Sequence, residues 1–246
     1  LGHRRLAVID VEHGQQPMCS ADGRFSLTYN GEIYNYLELR RGLQQQGVSF
    51  RTESDTEVLL QLLIRDGEQA VRQLNGMFAF VFHDASDNRW IAARDPFGIK
   101  PFYFASLADE WVFASEAKAL FSHPGLRAAR DERSLQQYLT FQFCLEGRTL
   151  FDGVSKLQPG FLLCGRGARV EREDCYWDTN YRIDSYHTED YFVDALRQLL
   201  EDSVRLQLRS DVPLGGYLSG GLDSSVVCTL ATRQLGCRRA AILRER

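Results

Sequence analysis

The sequence predicts an α+β domain followed by the opening of an α/β domain. In residues 1–175, strand-like segments accompany two amphipathic helices. One of these strands, residues 77–82, is apolar on both faces, as expected of a strand covered on both sides. Further on, a short apolar strand leads through a glycine-rich loop into a helix. These observations predict sheets sandwiched between helical layers in the first domain.

The first part of the chain carries strong local signals. Strands are predicted at residues 6–10 and 25–29, and helices at 35–46 and 54–67. Asn30-Gly31 is a turn signal after the second strand. Asn35 is expected to cap the first helix, and Ser54 with Glu57 forms a capping box for the second. Gly67 is expected to end that second helix.

Hairpins and a second domain follow. Strand pairs are predicted at 77–82 with 89–94, and at 102–105 with 111–114. Ser115 is expected to cap a short helix. Residues 176–187 lack periodicity and are typical of a linker. Thr188 is expected to cap a long amphipathic helix, which precedes a strand at 214–218 and a helix at 224–234.

Composition excludes several classes of protein. The 246 residues are 44% hydrophobic and 25% charged, which argues against disorder. A net charge of −4 gives no support to nucleic-acid binding. The longest clean apolar run, residues 77–82, is far shorter than the roughly 18 residues of a membrane span, so no membrane partner is expected. No signal peptide opens the chain, and a cytoplasmic location is expected. The six cysteines lack C-x-x-C spacing and are expected to be reduced structural thiols.

The glycine-rich loop has features of a phosphate site. Its glycines let the backbone approach an anion, and its hydroxyls and the following helix N-terminus donate hydrogen bonds. Asp223 suits such a site if Mg²⁺ lies between it and the phosphate. The loop is similar to the S-G-G-x-D-S pyrophosphate loop of ATP pyrophosphatases; a plain serine-capped turn is the alternative. The residues assigned to ATP are Leu218, Ser219, Gly220, Gly221, Asp223 and Ser224.

A second cluster suits an α-amino acid. Such a ligand needs a cation for its carboxylate and an anion for its ammonium group, and Arg5 and Asp55 supply that pair. Asn30 and the Gly31 N–H lie where a turn exposes donors, as an oxyanion hole requires. Taken singly, each residue has a simpler interpretation as a surface charge, a hairpin turn or a helix cap.

Taken together and in order, the segments resemble a known family. The glutaminase domain of glutamine-hydrolysing asparagine synthetases is similar to Leu1-Gly-His-Arg-Arg-Leu6, Gln16-Pro-Met18, Asn30-Gly-Glu-Ile-Tyr-Asn35, Ser54-Asp-Thr-Glu-Val58, Leu74-Asn-Gly-Met-Phe-Ala-Phe80, Arg94-Asp-Pro-Phe-Gly-Ile-Lys-Pro101 and Ala114-Ser-Glu-Ala-Lys-Ala119. The opening of the synthetase domain is similar to Ser210-Asp-Val-Pro213 and Leu218-Ser-Gly-Gly-Leu-Asp-Ser-Ser225.

The resemblance implies a fold and a reaction. The fold is an N-terminal-nucleophile hydrolase sandwich of two antiparallel sheets between helices, followed by a truncated α/β ATP-pyrophosphatase domain. The domains would span residues 1–176 and 188–246, with a linker at 177–187. The parent protein would convert aspartate, glutamine and ATP to asparagine, glutamate, AMP and pyrophosphate, with Mg²⁺, and could form a homodimer.

The resemblance also assigns roles to residues. Arg5 would bind the glutamine carboxylate, Asn30 and Gly31 would form the oxyanion hole, and Glu32 and Asp55 would hold the ammonium group. The nucleophilic cysteine of the family would lie before Leu1, so the chain as given is expected to be an inactive fragment. Two alternatives are a relative that amidates another carboxylate and a non-catalytic protein that binds glutamine or ATP.

Overall fold

The computed structural model describes residues 1–236 and the backbone of residues 240–244. The chain forms two compact units. The first comprises Leu1–Arg5 and Gly14–Thr179, and the second comprises Leu6–His13 and Asn180–Arg246. Cys237, one of the six cysteines, lies outside the described residues.

The first unit is built on two antiparallel sheets. Its strands are β1 (Met18–Cys19), β2 (Phe25–Ile33), β3 (Gly76–Asp84), β4 (Arg89–Arg94), β5 (Tyr103–Ser106), β6 (Trp111–Ala114), β7 (Ser155–Lys156), β8 (Phe161–Arg166) and β9 (Arg169–Cys175). The larger sheet has the order β1-β2-β3-β4-β8-β9 and the smaller has the order β6-β5-β7. The strands predicted from the sequence do not include β1, β7, β8 or β9.

Helices cover the outer faces of this sandwich. They are α1 (Tyr36–Gln45), α2 (Asp55–Asp66), a 3-10 segment (Gly67–Gln73), α3 (Ala117–Leu120) and α4 (Glu132–Phe141). Leu43 of α1 and Leu59 of α2 belong to one buried cluster with the larger sheet. Leu120 of α3 packs with Ala105 of the smaller sheet. The predicted arrangement of two antiparallel sheets between helical layers is confirmed.

The central strand β3 is buried on both faces. Phe78, Phe80 and Phe82 pack in the cluster that contains α1 and α2. Ala79 and Val81, on the opposite face, pack in the cluster between the two sheets. Side chains alternate between the two faces of a strand, so β3 contributes apolar residues both to the helix-covered cluster and to the cluster between the sheets. The prediction that residues 77–82 are covered on both sides is confirmed.

Strand β2 does not end at Asn30-Gly31, and the predicted turn there is wrong. The strand continues to Ile33, with Asn30 opposite Ala79 and Gly31 opposite Phe78 on β3. A Cβ at Gly31 would overlap the Met77 carbonyl oxygen and the Phe78 Cα. Glycine therefore serves here to let two strands approach closely, rather than to reverse the chain.

Residues 6–10 do not form the predicted strand. Their backbone pairs instead with Asp211 in the second unit: the Asp10 N–H donates to Asp211 Oδ2 at 2.7 Å, and the Asp211 N–H donates to the Val8 carbonyl at 3.0 Å. A short apolar run can satisfy its backbone through such contacts without a neighbouring strand.

Helix α2 begins as predicted, but two other caps differ. The Ser54 side chain accepts the Thr56 N–H, and Gly67 ends the helix. Asn35 precedes α1 without capping it, because its side chain bridges the Gln73 carbonyl and the Asn75 N–H. Glu116 rather than Ser115 precedes α3.

Glu57 does not complete the predicted capping box with Ser54. Its carboxylate accepts the N–H groups of Arg51 and Thr52, which lie just before the helix. The Ser54 N–H donates instead to the Thr52 hydroxyl at 3.3 Å. The buried Glu57 therefore fixes the segment that leads into α2 rather than its first residue.

The second unit contains a strand–loop–helix. Its elements are α5 (Glu189–Gln207), β10 (Leu214–Leu218), α6 (Leu222–Leu235) and β11 (Ala240–Arg244), with β10 parallel to β11. Thr188 caps α5 by accepting the Tyr191 N–H, as predicted. Among the helices of the described chain, none is long and apolar enough to cross a membrane.

Candidate active site

The edge of β2 presents three backbone N–H groups in a row. Gly31 lies opposite Phe78 on β3, but Phe78 forms its backbone hydrogen bonds with Asp95, on the side away from β2. Gly31 and Phe78 are therefore a pair without hydrogen bonds between them, and the Gly31 N–H points to the edge of β2 that faces away from β3. On that edge, the Tyr29 N–H donates to Gln16 Oε1 at 2.7 Å and the Ile33 N–H donates to Asp55 Oδ2 at 3.1 Å. The Gly31 N–H lies between these two satisfied donors, next to the Asn30 side chain.

The Asn30 amide is a second donor at this place. Within residues 1–236, no hydrogen bond engages its side chain. A side-chain amide and a backbone N–H on adjacent residues are the donors that an oxyanion hole uses. The structure therefore brings the two predicted donors together, on a strand edge rather than in a turn.

Asp55 is a buried carboxyl group at the start of α2. Its exposed fraction is 3%, and its Oδ2 accepts the Tyr29 hydroxyl at 2.8 Å as well as the Ile33 N–H. Burial raises the pKa of Asp55, while the two hydrogen bonds and the charge of Arg5 act in the opposite direction. Hydrogen bonds therefore fix Asp55 at the edge of β2, where the positive charge of Arg5 stabilises its ionised form.

Arg5 and Glu32 complete the charged groups of this region. The Arg5 guanidinium lies against Gly14, where any side chain would displace it. Burial raises the pKa of Glu32, the Asp55 charge raises it further, and Lys100 lowers it. Arg5 therefore lies close enough to act on Asp55, and Asp55 lies close enough to act on Glu32, which follows Asn30 and Gly31 on β2. A cation and carboxyl groups of this kind are what an α-amino acid needs.

A rigid loop, residues 94–101, borders the same strand pair. The Asp95 carboxylate is fully buried and accepts four backbone N–H groups, those of Phe78, Phe97, Ile99 and Lys100. The neighbouring Arg94 guanidinium donates to the carbonyls of Gly98, Lys100 and Leu157. The sequence indicates this segment only through its motif, in which two opposite charges, Arg94 and Asp95, are adjacent between apolar residues.

Sequence reasoning also missed the partners of the site residues. Gln16 and Tyr29 are not charged, and their roles depend on contacts over 13 and 26 positions, respectively, along the chain. Gln16 lies in the Gln-Pro-Met motif, which was the available signal. Such contacts follow from the sheet register and the approach of α2, neither of which a local pattern specifies.

The second unit brings the predicted phosphate-binding residues into one exposed loop. Gly220 has a φ of +85°, a conformation that favours glycine. The hydroxyls of Ser219 and Ser224 lie 3.0 Å apart, and Ser224 also donates to the Gly221 carbonyl at 3.1 Å. Asp223 lies in the first turn of α6. The loop therefore carries hydroxyls, a helix N-terminus and one carboxylate in a single place.

This donor set suits a nucleotide phosphate with a magnesium ion. Mg²⁺ is commonly bound through one or two carboxylates together with substrate phosphates, and Asp223 is the carboxylate that this loop offers. Among the described residues, no group of three or more His, Cys, Asp or Glu side chains forms a metal site made of protein alone. The five described cysteines are free thiols, and Cys164 is buried.

The chain belongs to the glutamine amidotransferase domain family. The family described as "Glutamine amidotransferase domain" matches residues 1–177. The family described as "Asparagine synthase" matches residues 195–242. The chain thus joins a glutamine amidotransferase domain to the start of an asparagine synthase domain.

Two individual proteins are similar to the chain along most of its length. The chain is 43% identical over 230 residues to asparagine synthetase [glutamine-hydrolyzing] 1 of Bacillus subtilis, covering 94% of this chain and 36% of the relative. It is 34% identical over 236 residues to amidase chry2 of Gibberella zeae, covering 94% and 34%. The chain therefore spans about a third of the length of these relatives.

A solved structure, glutamine phosphoribosylpyrophosphate amidotransferase from B. subtilis complexed with ADP and GMP, is 19% identical to the chain. The match covers 94% of this chain and 48% of that one, with a TM-score of 0.46.

Proposed function

We propose that the chain is the glutamine-binding part and the first ATP-binding segment of a glutamine-hydrolysing asparagine synthetase. The observation that carries this proposal is the Gly31 N–H, aimed outward between two satisfied N–H groups and next to the Asn30 amide. Such a pair stabilises the oxyanion that forms when a nucleophile attacks the side-chain amide of glutamine.

The charged groups give each end of glutamine a partner. Arg5 binds the α-carboxylate, and Asp55 with Glu32 holds the α-ammonium group. Both carboxyl groups have pKa values raised by burial, so the arriving ammonium group supplies the positive charge that favours their ionised forms. Binding at both ends sets the side-chain amide against Asn30 and Gly31.

The loop at residues 218–224 is the proposed ATP site. When bound there, Mg²⁺ would neutralise phosphate charge, and Asp223 is the residue that would hold it. The Ser219 and Ser224 hydroxyls and the N-terminus of α6 would donate to phosphate oxygens. This loop would begin a truncated α/β ATP-pyrophosphatase domain.

The remaining features of the parent protein follow from the family. We place the amidotransferase domain at residues 1–176, the linker at 177–187 and the synthetase segment at 188–246. Aspartate as acceptor, a homodimer, and the conversion of aspartate, glutamine and ATP to asparagine, glutamate, AMP and pyrophosphate are part of the same proposal. The relative named an amidase keeps a different acceptor open as the alternative.

The test is direct binding of L-glutamine to the chain, measured by calorimetry at neutral pH. We expect saturable binding of L-glutamine, and at least a tenfold weaker affinity after Arg5→Met, because a charge-assisted contact with the carboxylate is lost. Arg4→Met, at the exposed neighbouring arginine, is the matched control and should bind as the original chain does. Equal affinities of both variants would refute the assignment of Arg5.

A further inference from the structure

The side-chain amide of Gln16 forms hydrogen bonds with two different elements. Its Oε1 accepts the Tyr29 N–H of β2 at 2.7 Å, and its Nε2 donates to the Thr56 hydroxyl of α2 at 3.4 Å. Tyr29 and Thr56 are both buried. Because an amide offers both an acceptor and donors, this one side chain ties its own segment to the edge of β2 and to the first turn of α2.

The two partners of Gln16 are neighbours of the proposed site residues. Tyr29 lies two residues before Gly31 on β2, and the N–H groups of both point to the same edge. Thr56 follows Asp55 directly, and Asp55 accepts the Tyr29 hydroxyl at 2.8 Å. The contacts of Gln16 therefore close a ring through β2 and α2, and a shift of Gln16 would break a contact with one element or the other.

The segment that Gln16 anchors also supports the Arg5 guanidinium. A Cβ placed on Gly14 would have its three nearest neighbours in that guanidinium, Nη2, Cζ and Nη1, at 2.5 to 2.7 Å. Gly14 is buried. On the other side of Gln16, Met18 pairs with Leu27 of β2 and belongs to the cluster that contains α1 and α2. The backbone beneath the guanidinium is thus followed by two anchors, the Gln16 amide and the Met18 pairing.

We propose that Gly14 and Gln16 are positioning residues that orient Arg5 in the amino-acid site. Gln16 anchors the segment to β2 and α2, and Gly14 leaves room for the guanidinium to lie against its backbone. This role rests on the proposed glutamine function, in which Arg5 binds the α-carboxylate. A guanidinium binds a carboxylate best when its planar fork is aligned with the two oxygens, so its orientation decides much of the contact.

The anchor is tested without any ligand, by ¹H–¹⁵N NMR of the full chain in mildly acidic buffer. The Arg5 Nε–H signal is assigned from its loss in Arg5→Met. We expect Gln16→Met to move this signal and to speed hydrogen exchange of the Tyr29 N–H at least tenfold, because its acceptor is removed. Gln15→Met, at the exposed neighbouring glutamine, is the matched control and should do neither. An unchanged Arg5 signal or an unchanged Tyr29 exchange rate in Gln16→Met would overturn the proposal.

Gly14→Ala tests the contact with the guanidinium. The added methyl group would displace the end of a flexible side chain, so the unfolding midpoint in urea should not change. We expect the Arg5 signal to move and the affinity for L-glutamine, measured by calorimetry, to fall about tenfold. Gly42→Ala, with open space around it, is the control and should leave both unchanged. Full affinity in Gly14→Ala would overturn the role of Gly14.

A double variant separates positioning of Arg5 from a general effect on the fold. Gln16→Met should weaken L-glutamine binding about tenfold in the original chain, but less than twofold when Arg5→Met is already present, because the effect passes through Arg5. Equal losses in both backgrounds would show that Gln16 only stabilises the fold and would overturn the positioning role. Failure of the original chain to bind glutamine would refute the proposed function, while the Arg5 signal and the Tyr29 exchange would still decide the anchor.

Discussion

At the scale of single residues, the Asp55 carboxyl group links the fold to the proposed chemistry. Burial raises its pKa, and hydrogen bonds from the Ile33 N–H, the Tyr29 hydroxyl and the Thr56 N–H limit this rise. An acid whose pKa is raised in the folded state favours folding most at low pH, and that contribution is lost as the pH rises through the folded-state pKa. The Tyr29 hydroxyl therefore controls both the charge of the site and the pH dependence of stability.

Tyr29→Phe tests this link. Loss of the hydroxyl leaves Asp55 with one fewer donor, so its pKa should rise further and the free energy of unfolding at neutral pH should fall by about 1–3 kcal/mol. Urea unfolding from pH 4 to 8 should show a steeper loss of stability with rising pH than in the original chain. Tyr138→Phe, at an exposed tyrosine of α4, is the control. Parallel stability curves for Tyr29→Phe and the original chain would contradict the proposed role of the hydroxyl.

Asn30→Ala tests the oxyanion hole in the complete parent enzyme. Removal of one oxyanion donor typically raises the barrier by about 2.7–4 kcal/mol. We expect glutamine hydrolysis to slow by that amount, while synthesis from free ammonia is largely retained because the second site is untouched. Equal losses of both activities would show that Asn30 acts on the fold and not on the glutamine amide.

At the scale of elements, β2 shows where local patterns succeed and fail. The short apolar run at residues 25–29 predicted the strand, and the two apolar faces of residues 77–82 predicted that β3 is covered on both sides. Both predictions depend only on which residues are apolar, and apolar side chains favour burial. The Asn30-Gly31 pair predicted a turn, since that dipeptide suits one wherever nothing else constrains the backbone. The close approach of β3 is a long-range contact, and it decides the conformation instead.

The same failure of local signals occurs at the helix starts. Ser54 caps α2 as its sequence predicts. The Asn35 side chain instead forms hydrogen bonds with Gln73 and Asn75, which are distant in sequence, and does not cap α1. The site residues Arg5, Asn30, Glu32 and Asp55 were found by motif, but the contacts that Gln16, Tyr29 and Asp95 make with the strand pair required the tertiary structure. A capping or turn signal gives a preference of about 1 kcal/mol, which one competing contact can reverse.

Gly31→Ala tests the role of close strand approach. The added methyl group would overlap the Met77 carbonyl and the Phe78 Cα, so β2 and β3 would have to separate. We expect a loss of at least about 2 kcal/mol in the free energy of unfolding. Gly42→Ala, inside α1 with open space around it, is the matched control and should be neutral or stabilising by up to about 1 kcal/mol. Similar effects of the two substitutions in urea unfolding would contradict the packing argument.

At the scale of the whole molecule, the last of the boundaries between the two units, at Thr179 and Asn180, falls in an exposed segment. Tyr176 is buried, and its hydroxyl donates to the Arg94 carbonyl at 2.6 Å, so it belongs to the amidotransferase unit. Tyr181 and Tyr186 are exposed by 86% and 94%, respectively, and residues 176–187 contain no helix or strand. An exposed segment without regular structure is the place where a protease cuts a native chain first.

Brief digestion with chymotrypsin at low protease concentration tests this boundary. We expect the first cuts after Tyr181 and Tyr186 and none after Tyr176, because cleavage of a native chain requires a segment that can open locally at little cost. Mass spectrometry of the early fragments identifies the bonds, and a Tyr181→Ser, Tyr186→Ser double variant should delay the cleavage at least severalfold without changing the unfolding midpoint. The fragment that ends at Tyr181 retains every residue of the proposed glutamine site. Early cuts between residues 14 and 176 would show that the amidotransferase unit does not end where the linker is proposed to begin.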